Sequence, residues 1–555
     1  MTIGASDTAQ TLRPKAVSGR TVQELVQWLQ AQGFTVGQYR EGAKITGISM
    51  DSRQVQAGDL YVGLPGAKSH GAQYVQAAIA AGAHAILTDE AGLALLGTQA
   101  EELGLIQCEQ LRACLGPLAS FIYNSQPEDG SAPLRFAVTG TNGKTTTTYM
   151  LNSLLESLGH TTGLIGTIEI LAGGEPIPSQ LTTPESVQVH SLLALMRQQG
   201  ITAMSMEVSS HALDYRRVDG LRYDLAGFTN LTQDHLDLHH TMANYRDSKA
   251  ELFTLQRARR AVIVADDHWG EQMLGRAIGA MGIENVVALF TRHGAGADQV
   301  PADLAAQDWV LTDVQRTGLG HAFKVVRGDG LSFEAQTQLP ADFNVSNAAL
   351  ALVMAYEAGA DPQKLRKALR KVGALTPVVP GRMQLLSQAP VAIVDFAHNP
   401  DALQRSLQAL TPLEGSGKVI IVFGATGERD QLKRPIMGEI AAQYADIVIV
   451  TDDDPHDEEP APIREEIMAG ILKAQRSGAR VKTVLNLAPR AAAIARAFEL
   501  AGPADAVMVA GRGHEVAQEV AGVNVDLDDR VEVVRSLKAK GYEVLPDYQM
   551  ILGDA

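Results

Sequence analysis

A chain of 555 residues exceeds what one hydrophobic core usually supports, so its length predicts two to four domains. A composition of 45% hydrophobic and 20% charged residues is that of a globular protein and excludes long disorder. The net charge of −16, from 47 basic and 63 acidic residues, speaks against a nucleic-acid binder or a protein held to an anionic membrane, because both need basic surface.

The opening "MTIGASDTAQTLRPKAV" lacks the apolar stretch of a signal peptide, and no apolar run is long enough to span a bilayer. Only Cys108 and Cys114 occur, too few for a disulfide framework or a four-cysteine zinc site; as small core residues they fit a reducing compartment, and the expected location is cytoplasmic. In "RTVQELVQWLQAQGF", Thr21 and Glu24 form a capping-box pattern, and Val22, Leu25, Val26 and Leu29 make one apolar helical face. "GISMDSRQVQAGDLYVGLPGAKSHGAQY" reads as short strands around polar loops, followed by a helix-like "VQAAIAAGAHAIL". The linker-like "NSQPEDGSAP" closes a small mixed α/β domain over residues 1–130.

The second block, residues 131–378, begins with the strand "RFAVTG", the turn "TNGK" and a helix from about Thr145 whose apolar positions are Met150, Leu151, Leu154, Leu155 and Leu158. Strand, Gly-rich turn and helix is the context phosphate binding requires: backbone N–H groups for phosphate oxygens, the Lys144 ammonium, and the Thr145 hydroxyl for Mg²⁺. The strict P-loop spacing would put glycine where Val138 stands. A further strand, "TAMSMEV", delivers Glu207 near its C-terminal end, where ligand sites of open α/β sheets lie. Next come "EVSSH", "NLTQDHLDLHH" and "NYRDSKAELF", in which a strand-end carboxylate with a nearby His and Asp would hold one or two Mg²⁺ against ATP phosphates. Taken singly, His235, His239 and His240 read as solvated loop histidines, Lys249 reads as a solvated helix lysine, and zinc spacing is absent. "HGAGADQVPADLAAQDW" reads as a surface excursion.

The third block, residues 379–555, alternates "VAIVDF", "KVIIVFG", "ADIVIVT" and "AVMVAG" with helical stretches, which predicts a Rossmann-like, mostly parallel sheet. Each run ends in a polar cluster: "AHNPDA", "ATGERD", "DDDPHDEEP", "RGHE".

"TGTNGKTTT", "EVSSHAL", "NLTQDHLD", "RDSKAELF", "FNVSNAALA", "PGRMQ" and "VDFAHNPDAL" occur in this order along nearly the whole chain, and the chain thereby resembles the Mur ligases, ATP-dependent amide-forming enzymes of peptidoglycan precursor synthesis. "DSR", "GDLYVGLPG", "GATGERD", "DDDPHDEEP" and "GRGHE" look most like the members that add the third peptide residue to UDP-N-acetylmuramoyl-L-alanyl-D-glutamate.

The resemblance implies three α/β domains, binding the UDP-sugar, ATP and the amino acid in turn, and a monomer with no nucleic-acid partner. It places Gly140, Thr141, Asn142, Gly143, Lys144, Thr145 and Thr146 on ATP phosphates, Asn344 and Asn347 near the base, and Arg382 and Asp395 reaching ATP from the third domain, with His398 in the same family motif. Mg²⁺ would lie by Thr145, Glu207 and His235, with Lys249 carbamylated by CO₂ to support it; Lys144, Glu207, His235 and Lys249 make the catalytic set. Ser52, Thr182, Thr183, Ser209, Tyr215 and Arg217 match positions for the muramoyl dipeptide, although Tyr215 stands where relatives often carry Gln. On local grounds the asparagine pair reads equally as a helix cap, and Asp51 with Arg53 as a structural ion pair.

Arg429, Asp453, Asp454, Pro455, His456, Gly511 and Glu515 match positions for the incoming amino acid. Members that use meso-diaminopimelate typically show Asp-Asn-Pro-Arg, whose Arg pairs with the distal carboxylate. Here the quartet ends in His456, which lacks the guanidinium fork, and Asp452, Asp457, Glu458 and Glu459 crowd the loop. The expectation is L-lysine or L-ornithine, while diaminopimelate held through Arg429 is the competing substrate. A dipeptide-adding ligase, a folylpolyglutamate synthetase and a noncatalytic scaffold of the same fold are the competing functions. "DDDPHDEEP" with "GRGHE" argues against the first two, and intact Lys144, Glu207, His235 and Lys249 argue against the third.

Overall fold

The computed structural model describes residues 13–174, 176–291, 304–410, 417–428 and 430–548. Three sheets organise them. A five-stranded sheet near the N-terminus is parallel except for its edge strand Val36–Arg40, which runs antiparallel to Gly104–Cys108. The helix Val22–Ala31 carries the capping box foreseen from Thr21 and Glu24 and buries Val22, Leu25, Val26 and Leu29. The helix-like "VQAAIAAGAHAIL" divides: the helix stops at Ala80, and "AIL" opens the buried strand Ala85–Thr88, because a turn through Gly82 reverses the chain.

The second sheet has eleven strands. Its parallel centre places Leu134–Thr139 between Ala203–Glu207 and Tyr223–Phe228, all packed in register. These strands are buried on both faces, which is why they read as near-continuous apolar runs. An antiparallel wing, Trp309–Thr317, Gly320–Arg327 and Ser332–Thr337, extends one side and was not among the elements expected from the sequence. Most of the expected surface excursion, its residues 293–303, lies outside the described residues. Its last residue, Trp309, is fully buried and donates its indole N–H to Glu357 at 3.0 Å.

The third sheet has six strands, and the four runs expected to be parallel form Val391–Asp395, Val419–Phe423, Ile447–Val450 and Ala506–Ala510 within it. A separate hairpin, Ala517–Val520 with Val523–Asp526, projects beyond the sheet. Among the described residues no helix is long and apolar enough to cross a membrane.

Candidate active site

The central strand Leu134–Thr139 ends in the turn 140–143, and the helix Lys144–Ser157 starts at once. Gly143 takes φ +89°, and a Cβ there would stand 2.5 Å from the Asn347 side-chain oxygen, so only glycine lets the helix Phe343–Glu357 approach the turn. Lys144 folds back over this turn and donates to the Gly140 and Thr141 carbonyls at 3.0 and 2.8 Å. Burial lowers its pKa, against the opposing pull of Glu207 and Asp234.

Glu207, at the end of the neighbouring strand, is wholly buried. Its Oε2 accepts from the Thr145 hydroxyl at 2.9 Å and the Thr167 hydroxyl at 3.0 Å, and its Oε1 accepts from the Thr167 N–H at 2.7 Å. A hydroxyl and a buried carboxylate beside a phosphate-binding turn are the hard oxygen donors that Mg²⁺ selects, with phosphate oxygens and water completing the shell. Among the described residues no group of three His, Cys, Asp or Glu side chains is gathered as a metal cage.

Across the turn, Lys249 is buried on the helix Met242–Ala250, contrary to its reading as a solvated lysine. Its ammonium donates to the Gly140 carbonyl at 2.9 Å and sits 4.5 Å from the Tyr245 ring centre. Burial, then the Lys144 charge, push its pKa well below the ordinary lysine range. The lowered pKa favours the neutral amine over the ammonium, and the neutral amine is the form that reacts with CO₂.

His235 takes φ +52°, with its ring 4.9 Å from that of His211 and its Nε2 3.9 Å from Asp234. Burial lowers its pKa despite Asp234, leaving a neutral ring. His239 is buried instead, bonded to the Ser210 hydroxyl at 3.0 Å, so one of the three histidines expected to be solvated is a core residue.

The third block closes over the turn. Asn142 donates its amide to Asp401 at 3.1 Å, and Asn399 spans both Asn142 and Asp234 at 3.4 Å. Arg382 packs 4.1 Å above the Phe396 ring, and Asp395 accepts from the Met383 N–H and the Ser406 hydroxyl. The His398 ring leans on Phe396 and bonds its carbonyl at 2.8 Å. A cavity of about 640 Å³ lies at this junction, lined by Asn142, Gly143, Asn344, Asn347, Arg382 and His398 among others. The asparagine pair does not cap: both lie inside the first turns of Phe343–Glu357, where Asn344 bonds the Pro340 carbonyl and Asn347 bridges Asn344 to the Thr147 hydroxyl.

On the other side of Glu207, the Thr183 hydroxyl donates to the Glu207 carbonyl at 2.8 Å and accepts from the Ser209 N–H at 3.1 Å. Thr182 meets Thr167 at 3.1 Å. Arg217 bonds Glu185 at 3.0 Å and packs against the half-exposed Tyr215. Ser52 lies apart, in the turn after the strand Gly47–Ser49 of the N-terminal sheet, between Asp51 and Arg53, which do form the structural ion pair that local reading allowed them.

The Asp453–His456 loop and the stretch 511–515 meet around the fully buried Arg512. Its guanidinium pairs with Asp454 and lies 3.7 Å from Glu515. Asp453 is buried with Oδ2 unpartnered, and a Cβ on Gly511 would collide with that oxygen. Burial, with Asp453 and Asp454 nearby, pushes the Glu515 carboxyl up to about 8. Pro455 is buried between Asp454 and His456. Arg429 lies outside the described residues.

Three stretches of the chain match known family descriptions: residues 44–121 "Mur ligase family, catalytic domain", 138–355 "Mur ligase middle domain", and 381–513 "Mur ligase, glutamate ligase domain". The chain is 40% identical over 522 residues to a UDP-N-acetylmuramoyl-L-alanyl-D-glutamate–2,6-diaminopimelate ligase of Corynebacterium glutamicum, covering 93% of this chain and 96% of that protein. The chain belongs to the Mur ligase family. It is also 39% identical to a UDP-N-acetylmuramyl-tripeptide synthetase of Leifsonia xyli subsp. xyli, covering 96% of this chain and 98% of the relative. A solved diaminopimelate ligase superposes with a TM-score of 0.60 at 31% identity, over 90% of this chain and 96% of that one. Like the rest of the family, this Mur ligase is an ATP-dependent, peptide-forming ligase.

Several groups in the Mur ligase site escaped the sequence reading. Asn399 and Asp401 fasten the third domain to the phosphate turn, Thr167 holds both oxygens of Glu207, and Asp234 faces the cation cluster. Asn399 and Asp401 stand in "AHNPDA", so the signal was present; Thr167 had none, because its role depends on a strand crossing beside Glu207.

Proposed function

We propose that this Mur ligase joins a diamino acid to the D-glutamate of UDP-N-acetylmuramoyl-L-alanyl-D-glutamate at the expense of ATP, as a cytoplasmic monomer in peptidoglycan precursor synthesis. The observation that carries this reading is the seam of the second and third domains, where Asn142 of the phosphate turn bonds Asp401, Asn399 bonds Asp234, and Arg382 lines the same cavity as Asn142 and Gly143 within the field of both Glu207 and Glu515. An amino acid held at Glu515 is thereby presented to the phosphate turn, which a scaffold would not require.

The D-glutamate γ-carboxylate attacks the γ-phosphate of ATP in line, giving an acyl phosphate and ADP. The turn 140–146 cradles the phosphates, Lys144 leaves its carbonyl partners to meet the transferring phosphoryl group, and Arg382 supplies a second cation. Mg²⁺, held by Thr145, Glu207 and His235 with carbamylated Lys249 in support, would neutralise phosphate charge. Thr182, Thr183, Ser209, Tyr215 and Arg217 position the dipeptide, while Ser52 serves the UDP end. The incoming amine then attacks the acyl carbon and phosphate departs. Because an acyl phosphate hydrolyses in water, the Asn142–Asp401 and Asn399–Asp234 contacts have a purpose: they hold the domains shut.

The relatives' names favour diaminopimelate as the amino acid. The local chemistry favours L-lysine or L-ornithine: His456 cannot reproduce a bidentate guanidinium, and the carboxylates of Asp453 and Asp454 outnumber the buried Arg512. A competition among equal L-lysine, L-ornithine and meso-diaminopimelate, with ATP, Mg²⁺ and the UDP-muramoyl dipeptide and read by product mass, tests both levels. A lysine or ornithine product is expected; a diaminopimelate product overturns the amino-acid assignment, and no product overturns the ligase reading.

A further inference from the structure

His456 is fastened to the projecting hairpin rather than to its own loop. Its N–H donates to the Glu519 carbonyl at 3.2 Å, and its carbonyl accepts from the Ala521 N–H at 2.7 Å. The residue sits at φ +52°, a strained conformation for a non-glycine, so the backbone pairing fixes where the ring points. Its Nδ1 then lies 3.0 Å from Oε2 of Glu519. Two further contacts lock hairpin to loop: the Glu519 N–H donates to Asp454 Oδ1 at 3.0 Å, and the Gln518 amide bonds the Asp453 carbonyl. Arg512 ties the other end, bonding both Asp454 and the Ala517 carbonyl.

This geometry gathers a cluster of charges. Arg512 is the cation that Asp453, Asp454 and Glu515 share, and Arg490 is committed to Asp529 through two bonds of 2.8 Å. Asp454 is consumed by Arg512 and the Glu519 N–H. Glu519 differs from the three inner carboxylates: its side chain is 45% exposed, and the contact with His456 engages Oε2 and turns the group toward the loop. The buried, unpartnered Oδ2 of Asp453 is a second acceptor awaiting a donor in the same cluster.

We propose that Glu519 is the counter-ion for the distal ammonium of the incoming diamino acid, with His456 as the positioning residue that aims it. This rests on the distal ammonium proposed above. Diaminopimelate carries the same distal ammonium plus a carboxylate on the same carbon, and that extra carboxylate, brought beside Glu519, would be repelled, so the pair selects against diaminopimelate through its additional charge.

The test is steady-state kinetics of wild type, Glu519→Gln, Glu519→Asp and His456→Ala, with KM for L-lysine and L-ornithine measured at saturating ATP and UDP-muramoyl dipeptide, and thermal melting as the folding control. Loss of one charge-assisted bond raises the diamino-acid KM about 10- to 100-fold in Glu519→Gln. KM for ATP should stay put, Glu519→Asp should recover part of the affinity, and His456→Ala should show a smaller KM rise. Wild type that uses lysine or ornithine while Glu519→Gln keeps its KM would overturn the role of Glu519 alone. Wild type that yields only the diaminopimelate product would overturn this inference together with the amino-acid assignment. A KM rise accompanied by a large fall in melting temperature in Glu519→Gln, with no recovery in Glu519→Asp, would make the pair a structural clip and overturn it as well.

Discussion

The Thr145 hydroxyl donates to the Glu207 carboxylate at 2.9 Å, joining the helix behind the phosphate turn to the end of the adjacent parallel strand. Two residues 62 apart in sequence thus share one hydrogen bond at the spot where ATP phosphates are expected. Replacing Glu207 by Gln keeps the size and removes the charge. The expected outcome is a fall in kcat of about 10²–10³-fold, typical of losing one electrostatic group in a closed site. Steady-state ligation over a Mg²⁺ titration checks it, and near-normal turnover at low Mg²⁺ would contradict it.

Lys249→Ala should abolish ligation, because the position is buried and next to the turn. Added short carboxylates should restore part of the activity if an anionic carbamate is the working form. Full activity of the variant without any additive would remove Lys249 from the site.

Glu515 predicts a proton signature. Its carboxyl is raised from 4.5 to about 8, so the folded protein keeps a proton there at neutral pH that the unfolded chain has already lost. The stability it contributes is fully present below about 4.5 and is lost as pH rises through about 8. An incoming ammonium favours the anion, so binding of the diamino acid near pH 7 should release a proton. Calorimetry in two buffers of different ionisation enthalpy measures this, and Glu515→Gln should remove both the proton release and the stability slope.

The Arg490–Asp529 pair is wholly buried, with Arg490 also bonding the Asp452 and Ala510 carbonyls. Arg490→Met would strand Asp529 as a buried charge, and the expected loss is about 3–5 kcal/mol of stability. Urea unfolding checks it. Since Asp452 and Ala510 flank the amino-acid loop, affinity for the diamino acid should fall in the same variant.

Much of this site was legible before any coordinates. The turn 140–146 declared itself because strand, glycine and helix must follow in immediate succession, and Glu207 did so because a buried parallel strand ends beside it. The asparagines 344 and 347 were harder, since an Asn near a helix start reads as a cap; packing of that helix onto Gly143 decided their place. In the antiparallel wing, Trp309–Thr317 is buried over its first half and exposed over its second, so it shows no alternation, whereas Ser332–Thr337 alternates buried and exposed residues and was legible as a strand but went unread.

The sequence by itself determined the element types around the phosphate turn, the order of the motifs and the acidic character of the amino-acid loop, because each depends on residues near one another in the chain. Only the tertiary structure decided that Asn399 and Asp401 grip the turn from the third domain, that Lys249 is buried with its pKa lowered, and that His456 answers to Glu519. These outcomes depend on desolvation and on contacts between residues tens to hundreds of positions apart, and neither is encoded in any local pattern.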